Sequence, residues 1–204
     1  MADISAQEVM ALRKKTGAGI VDCKKALQES CGDMAKAVEY LRVKGLASAD
    51  KKSGRTADEG LIHTYVHAGG KLGVMLELRC ETDFVARTED FKTLAKDLCM
   101  QVAAMAPLAV DADGFPPEVL EAERRVYAEQ AAQSGKPPQV VEKIVLGKVQ
   151  KFLKDNALVN QTFVKNQPEE KDRTVQDYIK QHVAKLGENI QVARFVRFQL
   201  GEES

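Results

Sequence analysis

Three histidines are the side chains of this sequence best suited to acid–base or metal chemistry. His63 and His67 are four residues apart, a spacing that on a helix would suit a shared metal ion. They fall in a segment with the alternating pattern of a strand, where four residues span about 13 Å, too far for one ion without a bulge. No serine or cysteine motif marks a nucleophile for these two or for His182. We therefore expect no metal, no cofactor and no catalytic chemistry.

The cysteines and the charge balance argue against several further classes of protein. No two of the four cysteines have the C-x-x-C spacing of zinc or redox sites, so we expect reduced thiols. Basic and acidic residues number 30 each, unlike the basic surface of a nucleic-acid-binding domain. The first ten residues lack an export signal, and no segment approaches the roughly 18 apolar residues of a membrane span. We expect a cytoplasmic protein that contacts neither nucleic acid nor a membrane and works by binding another protein.

Residues 81–87 (ETDFVAR) are unusual because they place a phenylalanine in a predicted connector between a strand and a helix. Phe84 could close the core over the strands. Alternatively, it could project as an anchor for a partner's pocket, since an aromatic side chain offers a large apolar area with few rotamers to restrict. Asp83 beside it could add a charge-assisted hydrogen bond. The residues alone leave both interpretations open.

The elements that must position these residues begin with three short helices in residues 1–46. Ser5 and Glu8 form a capping box at the start of the first helix. Residues 16–19 (TGAG) look faintly like a phosphate-binding loop, but they lack its glycine spacing and follow a helix, so we interpret them as the end of that helix. Asp33 is predicted to cap the third helix and Gly45 to end it.

Residues 47–59 are small and polar, and they show neither the apolar spacing of a helix nor the alternation of a strand. This composition predicts a linker between domains. Residues 60–204 then predict an α+β core domain with a small antiparallel sheet and helices packed against it. Its predicted strands are residues 61–67, 72–80 and 190–200, with a shorter extended piece at 159–164. Its predicted helices are residues 89–105, 117–134, 137–155 and 174–187, of which the second and third form a helical hairpin.

Two long motifs give the sequence a close resemblance to the translation elongation factor Ts family. The first is residues 12–27 (LRKKTGAGIVDCKKAL), and the second is residues 81–87 (ETDFVAR). Weaker similarity continues through residues 133–137 (QSGKP) and 160–164 (NQTFV) to the final strand. Two ungapped motifs at this separation are highly specific, and the resemblance covers nearly the whole chain.

The resemblance implies a guanine-nucleotide exchange factor that binds elongation factor Tu and promotes release of GDP. It implies a ubiquitin-associated-like three-helix domain that docks on the GTPase, with a docking surface of exposed residues. The segment that would disturb the magnesium and phosphate site of the GTPase is residues 82–85, with Phe84 as the wedge and Asp83 as its polar companion. The residues that match the exchange segment are Thr82, Asp83, Phe84 and Val85. Those that match the docking surface are Leu12, Ile20 and Val21, which as apolar residues could equally belong to the core.

The chain resembles the short members of the family, because it lacks the second core subdomain of longer members. Short members form homodimers, so the resemblance implies two copies that bridge two partner GTPases. Two alternatives remain. The N-terminal domain could merely tether a partner, in which case binding would not accelerate GDP release. The histidines near the hairpin could belong to a small-molecule enzyme.

Overall fold

The computed structural model describes residues 4–202, apart from the side chain of residue 169. This part of the chain contains eight α-helices and three β-strands. The strands are β1 (Glu59–Val66), β2 (Leu72–Cys80) and β3 (Gln191–Gln199). The helices are α1 (Ala6–Thr16), α2 (Ile20–Glu29), α3 (Met34–Asp50), α4 (Asp83–Ala86), α5 (Glu89–Met105), α6 (Pro117–Ala132), α7 (Pro138–Asn156) and α8 (Val175–Leu186). Two short 3-10 helices, Leu158–Asn160 and Pro168–Glu170, lie between α7 and α8. No helix in residues 4–202 is long and apolar enough to cross a membrane.

The predicted α+β class is confirmed, with a three-stranded antiparallel sheet in the order β1-β2-β3. The last strand pairs with the first hairpin, as its pattern predicted. Alternate residues of β2 are buried, and α5 buries one side of its surface, so both periods were correctly interpreted. The buried residues of β2 are Val74, Leu76, Leu78 and Cys80, and those of α5 include Phe91, Leu94, Leu98 and Val102.

Polar caps begin the first and third helices where the sequence predicted them. The Ser5 and Glu8 side chains form a complete capping box, in which the Ser5 N–H donates to Glu8 at 2.8 Å. The Asp33 carboxylate accepts the N–H groups of Ala35 and Lys36 at 2.9 and 3.0 Å. These bonds satisfy helix N–H groups that have no partner within the helix.

Two predictions are wrong: the end of the third helix and the extended conformation of residues 159–164. Gly45 does not end α3, which continues to Asp50 and so takes in the first residues of the predicted linker. A side-chain carbon at position 45 would lie 3.2 Å from the Ala184 Cβ of α8, so this glycine serves a close approach of two helices. Residues 159–164 are not simply extended, because Leu158–Asn160 is a 3-10 helix and only Thr162 pairs, in an isolated bridge with Thr174.

The chain divides into two compact units, the first comprising residues 1–62, 77–95 and 177–191. In its N-terminal part the buried faces of α1, α2 and α3 form one apolar core. Two ion pairs tie α8 to other helices of the unit: Lys180 with Asp50 at 2.6 Å and Lys185 with Asp90 at 2.7 Å. Of the three N-terminal helices, α3 is therefore joined directly to α8 by an ion pair.

The second unit comprises residues 63–76, 96–176 and 192–204. Helices α6 and α7 form the predicted hairpin around the buried residues Ala131, Val145 and Val149. Two fully enclosed amides also belong to this unit. The Gln101 side chain donates to Gln161 at 3.1 Å and accepts the Val164 N–H at 2.8 Å, which satisfies buried polar groups.

Candidate functional site

Helix α4 is a single helical turn that contains most of the predicted exchange segment. Thr82 is its N-cap, and its hydroxyl accepts the Val85 N–H at 3.4 Å. The Arg87 N–H donates to the Asp83 carbonyl at 3.2 Å and closes the turn. The predicted connector is therefore ordered locally, and it begins immediately after Cys80, the last residue of β2.

The C-terminal side of this turn is held by the start of α5. The Thr88 hydroxyl donates to the Val85 carbonyl at 2.8 Å and accepts the Phe91 N–H at 3.3 Å. Ala86 and Phe91 are buried. The backbone that follows Phe84 is thus attached both to the core and to the cap of a long helix.

The N-terminal side of the turn is held by residues more than 100 positions further along the chain. The Glu188 carboxylate accepts the N–H groups of Glu81 and Thr82 at 3.1 and 3.0 Å and the Thr82 hydroxyl at 2.6 Å. In return, the Glu81 carboxylate accepts the Asn189 N–H at 2.6 Å. We call this reciprocal set, formed by Glu81, Thr82, Glu188 and Asn189, the carboxylate clasp.

The four residues of the predicted exchange segment differ in exposure. Phe84 is 78% exposed, whereas Thr82 and Val85 are half-buried. The Asp83 carboxylate makes an ion pair with Arg87 at 2.7 Å, and its side chain is 43% exposed. Of the two interpretations of Phe84, closure of the core is therefore excluded. An exposed aromatic side chain on a backbone braced at both ends can enter a partner's pocket with little loss of conformational entropy.

The predicted docking residues separate into two kinds. Ile20 and Val21 begin α2 and are 50% and 80% exposed. Leu12, also predicted at the surface, is completely buried in the core of the three N-terminal helices, so that expectation is wrong. Its position on the apolar side of α1, one helical turn after Val9, was the signal for the core.

The thiol next to the site is a hydrogen-bond donor and not a nucleophile. Burial, followed by the nearby Glu188 carboxylate, raises the pKa of Cys80 to about 11. The thiol donates to the Thr82 carbonyl at 3.1 Å. Burial likewise raises the pKa of Cys99 to about 12. A reactive cysteine needs a lowered pKa, so neither residue has the environment of a catalytic thiol.

The histidines do not form a site with neighbouring ligands. His67 Nδ1 lies 2.9 Å from the Tyr65 hydroxyl, and His182 Nδ1 lies 2.9 Å from the Tyr178 carbonyl. Within residues 4–202, no three His, Cys, Asp or Glu side chains are grouped so as to hold a metal ion. The histidines therefore give no geometric support to the small-molecule enzyme.

Comparison with known proteins identifies the family. The family model "Elongation factor TS" matches residues 5–202. This chain belongs to the elongation factor Ts family. Elongation factor Ts of Moorella thermoacetica is 54% identical over 98% of this chain and 96% of its own length. Elongation factor Ts of Fervidobacterium nodosum is 55% identical over 98% of this chain and its entire length.

The same comparison places the chain among family members of similar length. Elongation factor Ts of Carboxydothermus hydrogenoformans is 52% identical over 98% of this chain and 90% of its own length. The resemblance drawn from residues 12–27 and 81–87 is thus confirmed for the elongation factor Ts family. Sequence reasoning did not find the carboxylate clasp, since no local pattern relates Glu188 to residues 81–82.

Proposed function

We propose that this chain is a guanine-nucleotide exchange factor for elongation factor Tu. It binds the GDP-bound GTPase, promotes release of GDP by inserting residues 82–85 near the magnesium and phosphate site, and stays bound until GTP enters. The observation that carries the proposal is the exposure of Phe84 on a turn braced at both ends, in a chain of the elongation factor Ts family.

Each residue of the segment has a separate role in this proposal. Phe84 is the wedge that enters the GTPase. Asp83 is its polar companion and exchanges its exposed ion pair with Arg87 for a contact with the partner, at little energetic cost because an exposed pair contributes little stability. Thr82 caps the turn, and Val85 is half-buried and donates its N–H to that cap.

The N-terminal domain, predicted as residues 1–46 with a ubiquitin-associated-like arrangement, docks on the GTPase in this proposal. Ile20 and Val21 offer an apolar surface at the start of α2. Leu12 supports that surface from within the core and does not touch the partner. The proposed division of the chain continues with the linker at residues 47–59 and the core domain at 60–204.

Binding energy alone is sufficient for exchange. A factor that binds the nucleotide-free GTPase more tightly than the GDP-bound one must weaken GDP binding by the same ratio. Release that is a thousandfold to ten-thousandfold faster requires a barrier lower by roughly 4–5.5 kcal/mol. A buried aromatic anchor and a charged hydrogen bond contribute about 2 kcal/mol or more each. No covalent step is needed.

The direct test is stopped-flow release of a fluorescent GDP analogue from elongation factor Tu, against excess unlabelled GDP. We expect the wild-type chain to accelerate release and Phe84→Ala to lose most of the acceleration, roughly 30-fold or more if the anchor contributes at least 2 kcal/mol. The control is Leu108→Ala, which removes another exposed apolar side chain, outside the exchange segment, and should leave the rate unchanged.

The two ways in which this experiment can fail have different meanings. If the folded wild-type chain binds elongation factor Tu without faster GDP release, the chain is a tether and the exchange proposal is wrong. If release is accelerated equally by wild type and Phe84→Ala, exchange stands but the wedge role of Phe84 is wrong.

We further propose a cytoplasmic homodimer that forms through the outer face of the sheet. The bond from the Leu200 N–H to the Lys71 carbonyl sets the register of β3 against β2 and brings exposed residues of both strands to one face. Phe198 is 70% exposed there. A contiguous apolar patch of this kind is typical of a protein–protein interface. Its exposed members include Val66, Met75, Val196, Phe198 and Leu200.

A further inference from the structure

We infer that Glu188 is a positioning residue for nucleotide exchange: it holds the exchange segment, and with it Phe84, in the orientation that the GTPase must meet. This inference rests on the proposed exchange function and extends it to a residue outside both family motifs. Glu188 touches neither the GTPase nor the nucleotide in this proposal, and it acts through Thr82.

Both oxygens of the Glu188 carboxylate accept hydrogen bonds from residues 81–82, where the exchange segment begins. One oxygen accepts two backbone N–H groups, from Glu81 and Thr82, and the other accepts the Thr82 hydroxyl. All three partners are donors in this arrangement, and hydrogen bonds to a charged acceptor are stronger than neutral ones. A glutamine could still offer its carbonyl oxygen to the two N–H groups and its NH₂ group to the Thr82 hydroxyl oxygen, but it would lose the negative charge that strengthens all three bonds.

Thr82 transmits this constraint to the helical turn. Its hydroxyl proton is committed to Glu188, so the hydroxyl oxygen accepts the Val85 N–H in a defined direction. Its carbonyl accepts the Ala86 N–H at 3.3 Å. A turn of four residues is far too short to be stable on its own, so its direction is set by such tertiary bonds. Phe84 lies inside that turn and inherits its orientation.

The other half of the clasp keeps Glu188 itself in place. Asn189 is buried, donates its backbone N–H to Glu81, and donates its side-chain amide to the Arg55 carbonyl at 2.7 Å. Arg55 in turn lies 3.5 Å from the Glu81 carboxylate. The clasp and its contacts with Arg55 therefore join three distant stretches of the chain, near residues 55, 81 and 188, and all of them belong to the first unit.

The decisive experiment compares Glu188→Gln with Glu188→Asp in the fluorescent-GDP assay across a range of factor concentrations. We expect Glu188→Gln to lower the saturating release rate about tenfold, because a neutral amide holds the exchange segment less firmly than a charged carboxylate does. The half-saturating concentration should stay within about twofold, because docking through the N-terminal domain is retained. Glu188→Asp keeps the charge and should recover part of the rate. Glu142→Gln, an exposed carboxylate on α7, is the matched control and should behave as wild type.

A second measurement needs no partner. In Glu188→Gln the amide hydrogens of Glu81 and Thr82 should exchange with solvent faster than in wild type, while amides in the middle of α5 keep their protection. Unchanged protection at both positions would show that the carboxylate does not hold the segment and would overturn the inference. If Glu188→Gln does not fold, the same two measurements on Glu188→Asp decide.

The outcomes separate this inference from the proposed function. An unaltered saturating rate for folded Glu188→Gln, with an active wild type, would overturn the positioning role and leave exchange intact. A loss of melting temperature in parallel with a rise in the half-saturating concentration would show a merely structural role and would also overturn it. A wild type without exchange activity would remove the proposed function, and with it the role of Glu188 in exchange.

Discussion

The side chain of Phe84 is exposed because its neighbours, and not Phe84 itself, pack against and form hydrogen bonds with the rest of the protein. Thr82 caps α4, the turn that contains Phe84, Thr88 caps the following helix α5, and Ala86 supplies the buried contact. The apolar surface of Phe84 therefore stays outside the core, and the fold forgoes the stabilisation that its burial would give. Such a local departure from the usual patterning is typical of a binding site.

A single glycine in β1 is required by its surroundings. Gly60 has φ +147°, and a side-chain carbon there would lie 2.1 Å from the Leu78 carbonyl oxygen of β2. We expect Gly60→Ala to lower the free energy of unfolding by about 2 kcal/mol or more, because both the backbone conformation and the strand spacing must change. Urea unfolding followed by circular dichroism measures this difference.

Gly54 is the matched control for that substitution. Nothing lies within 4 Å of a side-chain carbon placed there, and its φ is not in the left-handed region. Gly54→Ala should leave the free energy of unfolding within about 0.5 kcal/mol of wild type. Equal stability of the two variants would contradict the steric account of Gly60.

Single residues were predictable to different degrees. The sequence identified Phe84 as unusual because its neighbours predicted a connector, but the choice between core and surface needed the structure. Leu12 was misassigned because its place in the first family motif outweighed the helical pattern that indicated burial. The exposure of Ile20 and Val21 could not be read from their apolar type, since most exposed apolar residues have no special role.

At the scale of elements, the capping carboxyls of α1 and α3 have lowered pKa values. The Lys36 N–H and then the Ala35 N–H lower the pKa of Asp33, and the Ser5 side chain and then its N–H lower the pKa of Glu8. A carboxyl whose pKa is lowered in the folded state adds stability at neutral pH that is lost as the pH falls through that value.

We therefore expect the first turn of α3 to loosen as the pH falls below about 4, the ordinary range of carboxyl pKa values. NMR of the Ala35 and Lys36 amides between pH 6 and pH 3 should show their shifts following one titration. In Asp33→Asn the cap can still accept hydrogen bonds but does not titrate, so the same amides should lose this dependence. Persistence of the titration in that variant would assign it to another group.

Elements with a strong local signal were predicted well. Helix α5 occupies the predicted residues 89–105, because its apolar spacing is regular and acidic residues begin it. Gly45 was misread because a glycine that ends a helix and one that admits a neighbouring helix have the same local sequence. The 3-10 helix at Leu158–Asn160 depends on backbone bonds to Ala109 and Val110, which lie almost 50 residues earlier. Such contacts leave no local pattern.

At the scale of the whole molecule, the proposed homodimer is open to a direct test. The wild type should sediment with twice the mass of one chain, and Phe198→Asp should sediment as a monomer, because a charge would be buried in the interface. Val126→Asp, which places the same charge on exposed α6, should remain a dimer. A monomeric wild type at micromolar concentration would contradict the proposed dimer.

The larger organisation was the part least accessible from the sequence. The predicted boundary at residues 47–59 followed composition, whereas the compact units of the structure are each assembled from three separated stretches. Contacts between stretches so far apart in the sequence depend on the path of the whole chain, which the pattern of neighbouring residues does not reveal. The predicted domains therefore remain predictions, although the order of the elements was largely correct.

The carboxylate clasp has a consequence for folding of the protein during its synthesis on the ribosome. Synthesis runs from the N-terminus, so the three N-terminal helices can fold while the remainder is still being made. Residues 81–82 emerge more than 100 residues before Glu188 and Asn189, so they cannot acquire their brace until those two residues have followed. A chain interrupted before Glu188 thus contains the three N-terminal helices but lacks the bonds that orient Phe84. Synthesis of residues 188–189 is therefore the step at which the proposed exchange segment can take its final orientation.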